Sequence, residues 1–131
     1  MELITTHASA DFDALASMIA ARKLYPGAKL VLPGSQERAV REFMSLSEDL
    51  VKIEYERDVS LENVTRLIIV ETRLANRIGR MAQLVGKKGV EDKIYAPGQT
   101  HFFLPVVTDW HTFDMRLQNL EMTAEVTRGD K

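Results

Sequence analysis

Side chains able to bind a metal or move a proton concentrate in short segments that follow apolar runs. His7, Asp11 and Asp13 follow the first apolar run, and Glu71 follows the apolar run 67–70. Carboxylate oxygens are preferred ligands of Mg²⁺ and Mn²⁺, and Mn²⁺ also accepts imidazole. Two carboxylates two residues apart can serve two neighbouring metals, which a third carboxylate can bridge. Two metals about 4 Å apart activate water in phosphoester hydrolysis.

Each of these residues also has a simpler interpretation. Asp11 and Asp13 are suited to a helix N-cap and to the first helical turn, where the helix dipole favours an acid. His7 alone is typical of a structural loop residue. Glu71 ends a buried apolar run and therefore needs a partner, which is either a metal, Arg73 or a helix N-terminus.

Two features could bind phosphate. Gly34 and Ser35 precede a predicted helix, whose start either holds an anion or is a plain capped turn. Residues 66–93 contain seven basic and three acidic side chains, a net charge of +4, and include Arg73 and Arg77. This basic block faces either a phosphate-bearing ligand or solvent.

Predicted strands and helices, which must position these residues, alternate along the chain. Apolar runs predict strands over 2–6, 29–32, 51–55, 67–70 and 90–95. Helical periodicity predicts helices over 14–24, 36–46 (capped by Ser35), 73–88 and 113–126, and the apolar run 102–107 follows the last strand. The alternation predicts an α/β fold, a mostly parallel sheet with helices on both faces. Ligands bind such sheets at the carboxyl ends of the strands.

Composition narrows the class of protein. The chain has 131 residues, no cysteine and a formal net charge of −2. A single cytoplasmic domain is expected, with no membrane association, because the longest apolar stretch is too short to span a bilayer and no leader opens the chain. The absence of cysteine excludes a disulfide scaffold, a thiolate zinc site and a cysteine nucleophile.

The segment 5–17 resembles the first motif of the DHH phosphoesterases, the RecJ-like family. The motif reads His-x-x-x-Asp-x-Asp-Ala-Leu-x-Ser after an N-terminal strand. The segments 32–36, 67–73 and 77–80 are similar to the DHH segment that opens some bacterial multidomain tRNA nucleotidyltransferases of the A-adding or poly(A)-polymerase-like kind. The resemblance covers residues 1–95, and 96–131 would be a divergent extension of the same domain.

The resemblance implies a Mn²⁺- or Mg²⁺-dependent phosphodiesterase centre. His7 and Asp11 would hold one metal, Asp13 the other, and Glu71 would bridge them. The family has Asp where this chain has Glu71, and it places Asp-His-His where this chain has Ala-Pro-Gly at 96–98. The family's second lobe is not expected in this chain.

Three later side chains are candidate substitutes for the missing ligands, namely His101, Asp109 and His111. The predicted function is a degenerate DHH-like module that retains the fold and binds a metal, a phosphodiester, a nucleotide or RNA. One alternative is an active Mn²⁺-dependent phosphodiesterase acting on small phosphodiesters or oligonucleotides. Another is a structural fragment that forms a homodimer through an exposed sheet edge near 102–107.

Overall fold

A computed structural model describes residues 1–46 and 52–96 of the protein. This part of the chain contains two α-helices, five strands and three short 3₁₀ helices. The strands are β1 (Glu2–Thr5), β2 (Lys29–Leu32), β3 (Ile53–Tyr55), β4 (Arg66–Val70) and β5 (Glu91–Tyr95). The helices are α1 (Phe12–Leu24) and α2 (Arg38–Leu46), with 3₁₀ helices at Glu56–Asp58, Ala75–Arg77 and Gly79–Leu84.

The five strands form one parallel sheet in the order β3-β2-β1-β4-β5. β1 lies in the centre, and Leu3 is in register with Lys29 on one side and Leu67 on the other. The chain winds outward from β1 in one direction through β2 and β3, and then in the other through β4 and β5. The direction therefore switches between β1 and β4, where open α/β sheets form their ligand crevice.

Both faces of the sheet are covered, which confirms the predicted α/β class. α1 and α2 pack on the face that carries Ile4 and Ile68. The opposite face carries Leu3 and Leu67 and packs against residues 59–64 and the 3₁₀ helix Gly79–Leu84. Nine of the thirteen residues of α1 are buried. The alanines of α1 allow this close approach because they are small.

The prediction of a continuous helix over 73–88 is wrong. The segment forms two 3₁₀ helices separated by Ile78, and the second begins at Gly79, whose φ is +62°. A Cβ at Gly79 would lie 2.6 Å from Glu56 Oε2 and 2.9 Å from the carbonyl oxygen of Pro33. Glu56 Oε2 also accepts a hydrogen bond from the backbone N–H of Arg80 at 2.7 Å. This close approach between distant segments overrides the helical pattern of apolar residues.

The start of α2 also differs from the prediction. α2 begins at Arg38, and the carbonyl of Glu37 accepts its first helical hydrogen bond, from Arg41, at 3.0 Å. Ser35 therefore does not cap the helix. Residues 36–37 instead pair with Ala10, whose carbonyl accepts from Glu37 N–H at 2.8 Å.

The remaining predicted strands agree with the structure to within two residues at each end. The predictions at 102–107 and 113–126 lie outside the described residues. Among the helices that the structure describes, none combines the length and apolar character needed to cross a bilayer.

Candidate functional site

The predicted site residues lie at the carboxyl edge of the two central strands. His7, Asp11 and Asp13 follow β1, and Glu71 follows β4, the strand next to it. The buried Thr6 hydroxyl donates to the carbonyl oxygen of Val70 at 3.0 Å. This hydrogen bond ties the ends of the two strands together, at the point where the winding direction of the sheet reverses.

The loop after β1 places its acids at the start of α1. Asp11 is the N-cap residue, and its Oδ1 accepts from the backbone N–H of Ala14 at 2.9 Å. Asp13 lies in the first turn of the helix, where the positive end of the helix dipole stabilises a carboxylate. The N-cap interpretation of Asp11 is thus confirmed, and it leaves the second carboxylate oxygen available for another contact.

His7 is oriented by its own loop. Its Nδ1 lies 2.8 Å from the carbonyl oxygen of Ala8. Because a carbonyl only accepts, this contact places a proton on Nδ1, so Nε2 is the nitrogen that the neutral form of the ring would offer to a metal. A neutral imidazole in this tautomer is a competent metal ligand through Nε2.

Glu71 has the most constrained geometry of the four. Its φ is +69°, a left-handed conformation that side chains other than glycine rarely adopt. The backbone N–H of Glu71 donates to the carbonyl oxygen of Tyr95 at 2.9 Å, and the hydroxyl of Ser17 donates to Glu71 Oε1 at 2.8 Å. Such strain persists only when the surroundings fix the residue, and it concentrates at functional sites.

The four residues interact electrostatically. Burial raises the pKa of the Glu71 carboxyl above its ordinary value, and the negative charges of Asp13 and Asp11 raise it further. The Ser17 hydroxyl and His7 oppose this shift. A cluster of mutually repelling carboxylates beside an imidazole is suited to a cation or to a shared proton.

The donor set fits a hard divalent cation by its chemistry, since it combines carboxylate oxygens with an imidazole. As the side chains stand, no three acidic or histidine side chains of the described residues are close enough to hold one ion.

The candidate phosphate-binding residues surround the same edge. The Ser35 hydroxyl lies 3.5 Å from that of Ser9, and the Arg77 carbonyl accepts from Ala8 N–H at 2.8 Å. Arg73 and Arg77 are exposed. Neither forms an ion pair with Glu71 in the described part of the chain, where the hydrogen-bond partner of the Glu71 carboxylate is Ser17.

Gly34 is half-buried beside Ser35, and an added Cβ would meet nothing within 4 Å. Contrary to the prediction, Gly34 and Ser35 do not adjoin a helix N-terminus, because α2 begins at Arg38. The candidate substitute ligands His101, Asp109 and His111 lie outside the described residues.

Ser17 is a site residue to which the sequence argument gives no role. It is fully buried in α1, among residues that are otherwise alanine, leucine, methionine and isoleucine. A single hydroxyl inside an apolar helix needs a hydrogen-bond partner, and that need is the signal that could have found it.

Comparisons with known proteins agree with this architecture. The chain is 44% identical over 96 residues to an A-adding tRNA nucleotidyltransferase of Geobacter sulfurreducens. The match covers 72% of this chain and 11% of the relative, so the chain corresponds to a small part of that enzyme. No family model matches the chain.

A solved structure shares the fold. The crystal structure of an exopolyphosphatase-related protein from Bacteroides fragilis superposes with a TM-score of 0.58 at 12% identity, over 94% of this chain and 39% of that one. The shared fold and the sequence similarity agree with the DHH-like α/β domain that the first motif predicts. Its sequence is related to a segment of an A-adding tRNA nucleotidyltransferase.

Proposed function

We propose that this domain binds a phosphate-bearing ligand, a nucleotide or RNA, together with Mn²⁺ or Mg²⁺, and that it has lost part of its hydrolytic site. The observation that carries this proposal is the placement of His7, Asp11 and Asp13 after β1 and of Glu71 after the neighbouring β4, at one edge of the sheet. When bound, a divalent cation would neutralise these carboxylates and attract a phosphate oxygen.

Two side chains offer the cation an identifiable donor atom. His7 keeps Nε2 free of its loop contact, and Asp11 keeps one oxygen after capping α1. Asp13, in the first turn of α1, supplies a second carboxylate. Glu71 would contribute the oxygen that Ser17 does not engage.

The proposal that part of the hydrolytic site has been lost rests on the residue at position 96. The family places Asp-His-His after the strand that corresponds to β5, and Ala96 stands there, fully buried and without a ligating side chain. Fewer ligands predict weaker metal binding and slow or absent turnover. The relation to a tRNA nucleotidyltransferase supports RNA or a nucleotide as the phosphate-bearing partner.

Calorimetric titration of the full chain with MnCl₂ tests the proposal. We expect saturable binding by the wild type and a loss of about tenfold or more in affinity for Asp13→Asn, which keeps the shape of the side chain and removes its charge. Asp58→Asn, an exposed acid after β3, is the matched control and should bind like the wild type. Equal affinities of the Asp13 and Asp58 variants would refute the proposal.

An active phosphodiesterase is the second candidate, and the environment of Glu71 favours it. A carboxyl with a raised pKa beside two acids is typical of groups that exchange a proton during catalysis. Hydrolysis of an aryl phosphodiester in the presence of Mn²⁺ decides between binding and turnover. A rate in the wild type that disappears in Asp13→Asn establishes the enzyme, and equal background rates exclude it.

A further inference from the structure

We infer that Ser17 is the positioning residue that holds Glu71 in the proposed site. This inference rests on the proposed function, because it concerns how the domain prepares Glu71 for a cation. The juxtaposition that carries it is the 2.8 Å hydrogen bond from the Ser17 hydroxyl to Glu71 Oε1, which joins residues 54 positions apart in the sequence.

Ser17 is built rigidly into the core. It is fully buried in the second turn of α1, and the helix packs against β1, β2 and β4. A buried hydroxyl whose backbone is fixed by a packed helix has little freedom to move. Its oxygen is therefore held in place, and the hydroxyl can turn its hydrogen toward the carboxylate of Glu71.

Hydrogen bonds hold Glu71 at both its backbone and its side chain. Its backbone N–H is bound to the carbonyl of Tyr95 in β5, and its side chain is bound to Ser17 in α1. The left-handed backbone at φ +69° turns the chain sharply at the end of β4. Ser17 engages Oε1 only, and no described residue hydrogen-bonds to Oε2. The second oxygen is thus left available toward the acids after β1.

The contact also explains why glutamate fits this position. Aspartate is shorter by one methylene, so at the same backbone position its oxygens would fall short of Ser17. The hydrogen bond between the hydroxyl and the carboxylate would then be lost, which is costly in a buried setting. Ser17 and Glu71 form a matched pair, in which the helix supplies the donor that the longer acid reaches.

Binding of Mn²⁺ by four variants tests the pairing. Ser17→Ala should weaken Mn²⁺ binding by about tenfold or more, as is typical when a hydrogen-bond partner of a metal ligand is removed. Ser17→Ala made in a Glu71→Ala background should add no further loss, because the group it positions is gone. Equal losses in both backgrounds would show a general structural role and overturn the inference.

Thr6→Val is the matched control. Thr6 is likewise fully buried and donates a hydrogen bond beside the site, but its acceptor is the carbonyl of Val70 and not a carboxylate. Its removal should lower stability without a comparable loss of Mn²⁺ affinity. A loss equal to that of Ser17→Ala would contradict the specific role of Ser17.

A metal-free measurement separates this inference from the proposed function. The carboxyl ¹³C resonance of Glu71 should shift more in Ser17→Ala than in Thr6→Val, whether or not the wild type binds Mn²⁺. If the wild type binds no Mn²⁺ but this resonance shifts, the proposed function fails and the pairing stands. An unchanged resonance in Ser17→Ala would overturn the pairing.

Discussion

Replacing Gly79 by alanine tests whether residues 75–84 form two short 3₁₀ helices or one α-helix. In the structure Gly79 has a φ of +62°, and an added Cβ would lie 2.6 Å from Glu56 Oε2 and 2.9 Å from the Pro33 carbonyl oxygen. Relief of the clash moves Glu56 away from the backbone N–H of Arg80, with which it forms a 2.7 Å hydrogen bond.

The magnitude follows from these contacts. A left-handed backbone costs an alanine about 1–2 kcal/mol, and a lost hydrogen bond to a charged group costs about 1.5–3 kcal/mol. We therefore expect Gly79→Ala to lower the free energy of unfolding by about 2.5–5 kcal/mol. In a continuous α-helix the same change would stabilise the protein by about 1 kcal/mol, so the two structures predict opposite signs.

Urea unfolding followed by circular dichroism measures this difference, with Gly86→Ala as the matched control. Gly86 also has a positive φ, of +74°, but an added Cβ there meets nothing within 4 Å. It should lose only the backbone contribution, about 1–2 kcal/mol. A stabilised Gly79→Ala, or equal losses in the two variants, would refute the close contact between Gly79 and Glu56.

Three further changes separate the roles of the site residues. Asp11→Ala should cost about 1 kcal/mol of unfolding free energy in urea titrations, whereas Asp11→Asn should keep the cap and lose Mn²⁺ affinity; equal stabilities would contradict the capping. The pKa of Glu71 is higher in the folded protein than in the unfolded chain. The contribution of Glu71 to stability is therefore greatest at a pH below its ordinary pKa, and it is lost as the pH rises through the pKa of the folded protein. Glu71→Gln should therefore stabilise the protein more at pH 7 than at pH 4 in urea titrations, and a pH-independent difference would contradict the shift. Arg77→Glu should weaken binding of a labelled single-stranded RNA in anisotropy titrations. The slope of log affinity against log salt concentration should fall by about 0.7 per lost phosphate contact. Arg38→Glu, at an exposed position of α2, is the control and should bind like the wild type.

The sheet and α1 could be predicted because their signals are local. The apolar run 67–70 is typical of a strand buried on both faces, and Asp11 before an alanine-rich segment indicates a helix start. The site could be placed at one edge because parallel strands end together. These signals require only neighbouring residues in the chain.

The failures depend on contacts between distant segments. The apolar spacing of Ile78, Met81 and Leu84 suits an α-helix, and all three are buried, but Gly79 is forced against Glu56, 23 residues away. Ser17 meets Glu71 across 54 residues, and no local pattern specifies that pair. The start of α2 was misplaced because residues 36–37 pair with Ala10.

Paramagnetic broadening by Mn²⁺ tests the central claim most directly, since the effect falls steeply with distance from the ion. In ¹H–¹⁵N spectra of the full chain, substoichiometric Mn²⁺ should first broaden the amide resonances of His7, Asp11, Asp13 and Glu71. Resonances at the opposite edge of the sheet, such as those of Glu2 and Glu91, should persist. Uniform broadening, or broadening that begins at the opposite edge, would contradict a cation site at the ends of β1 and β4.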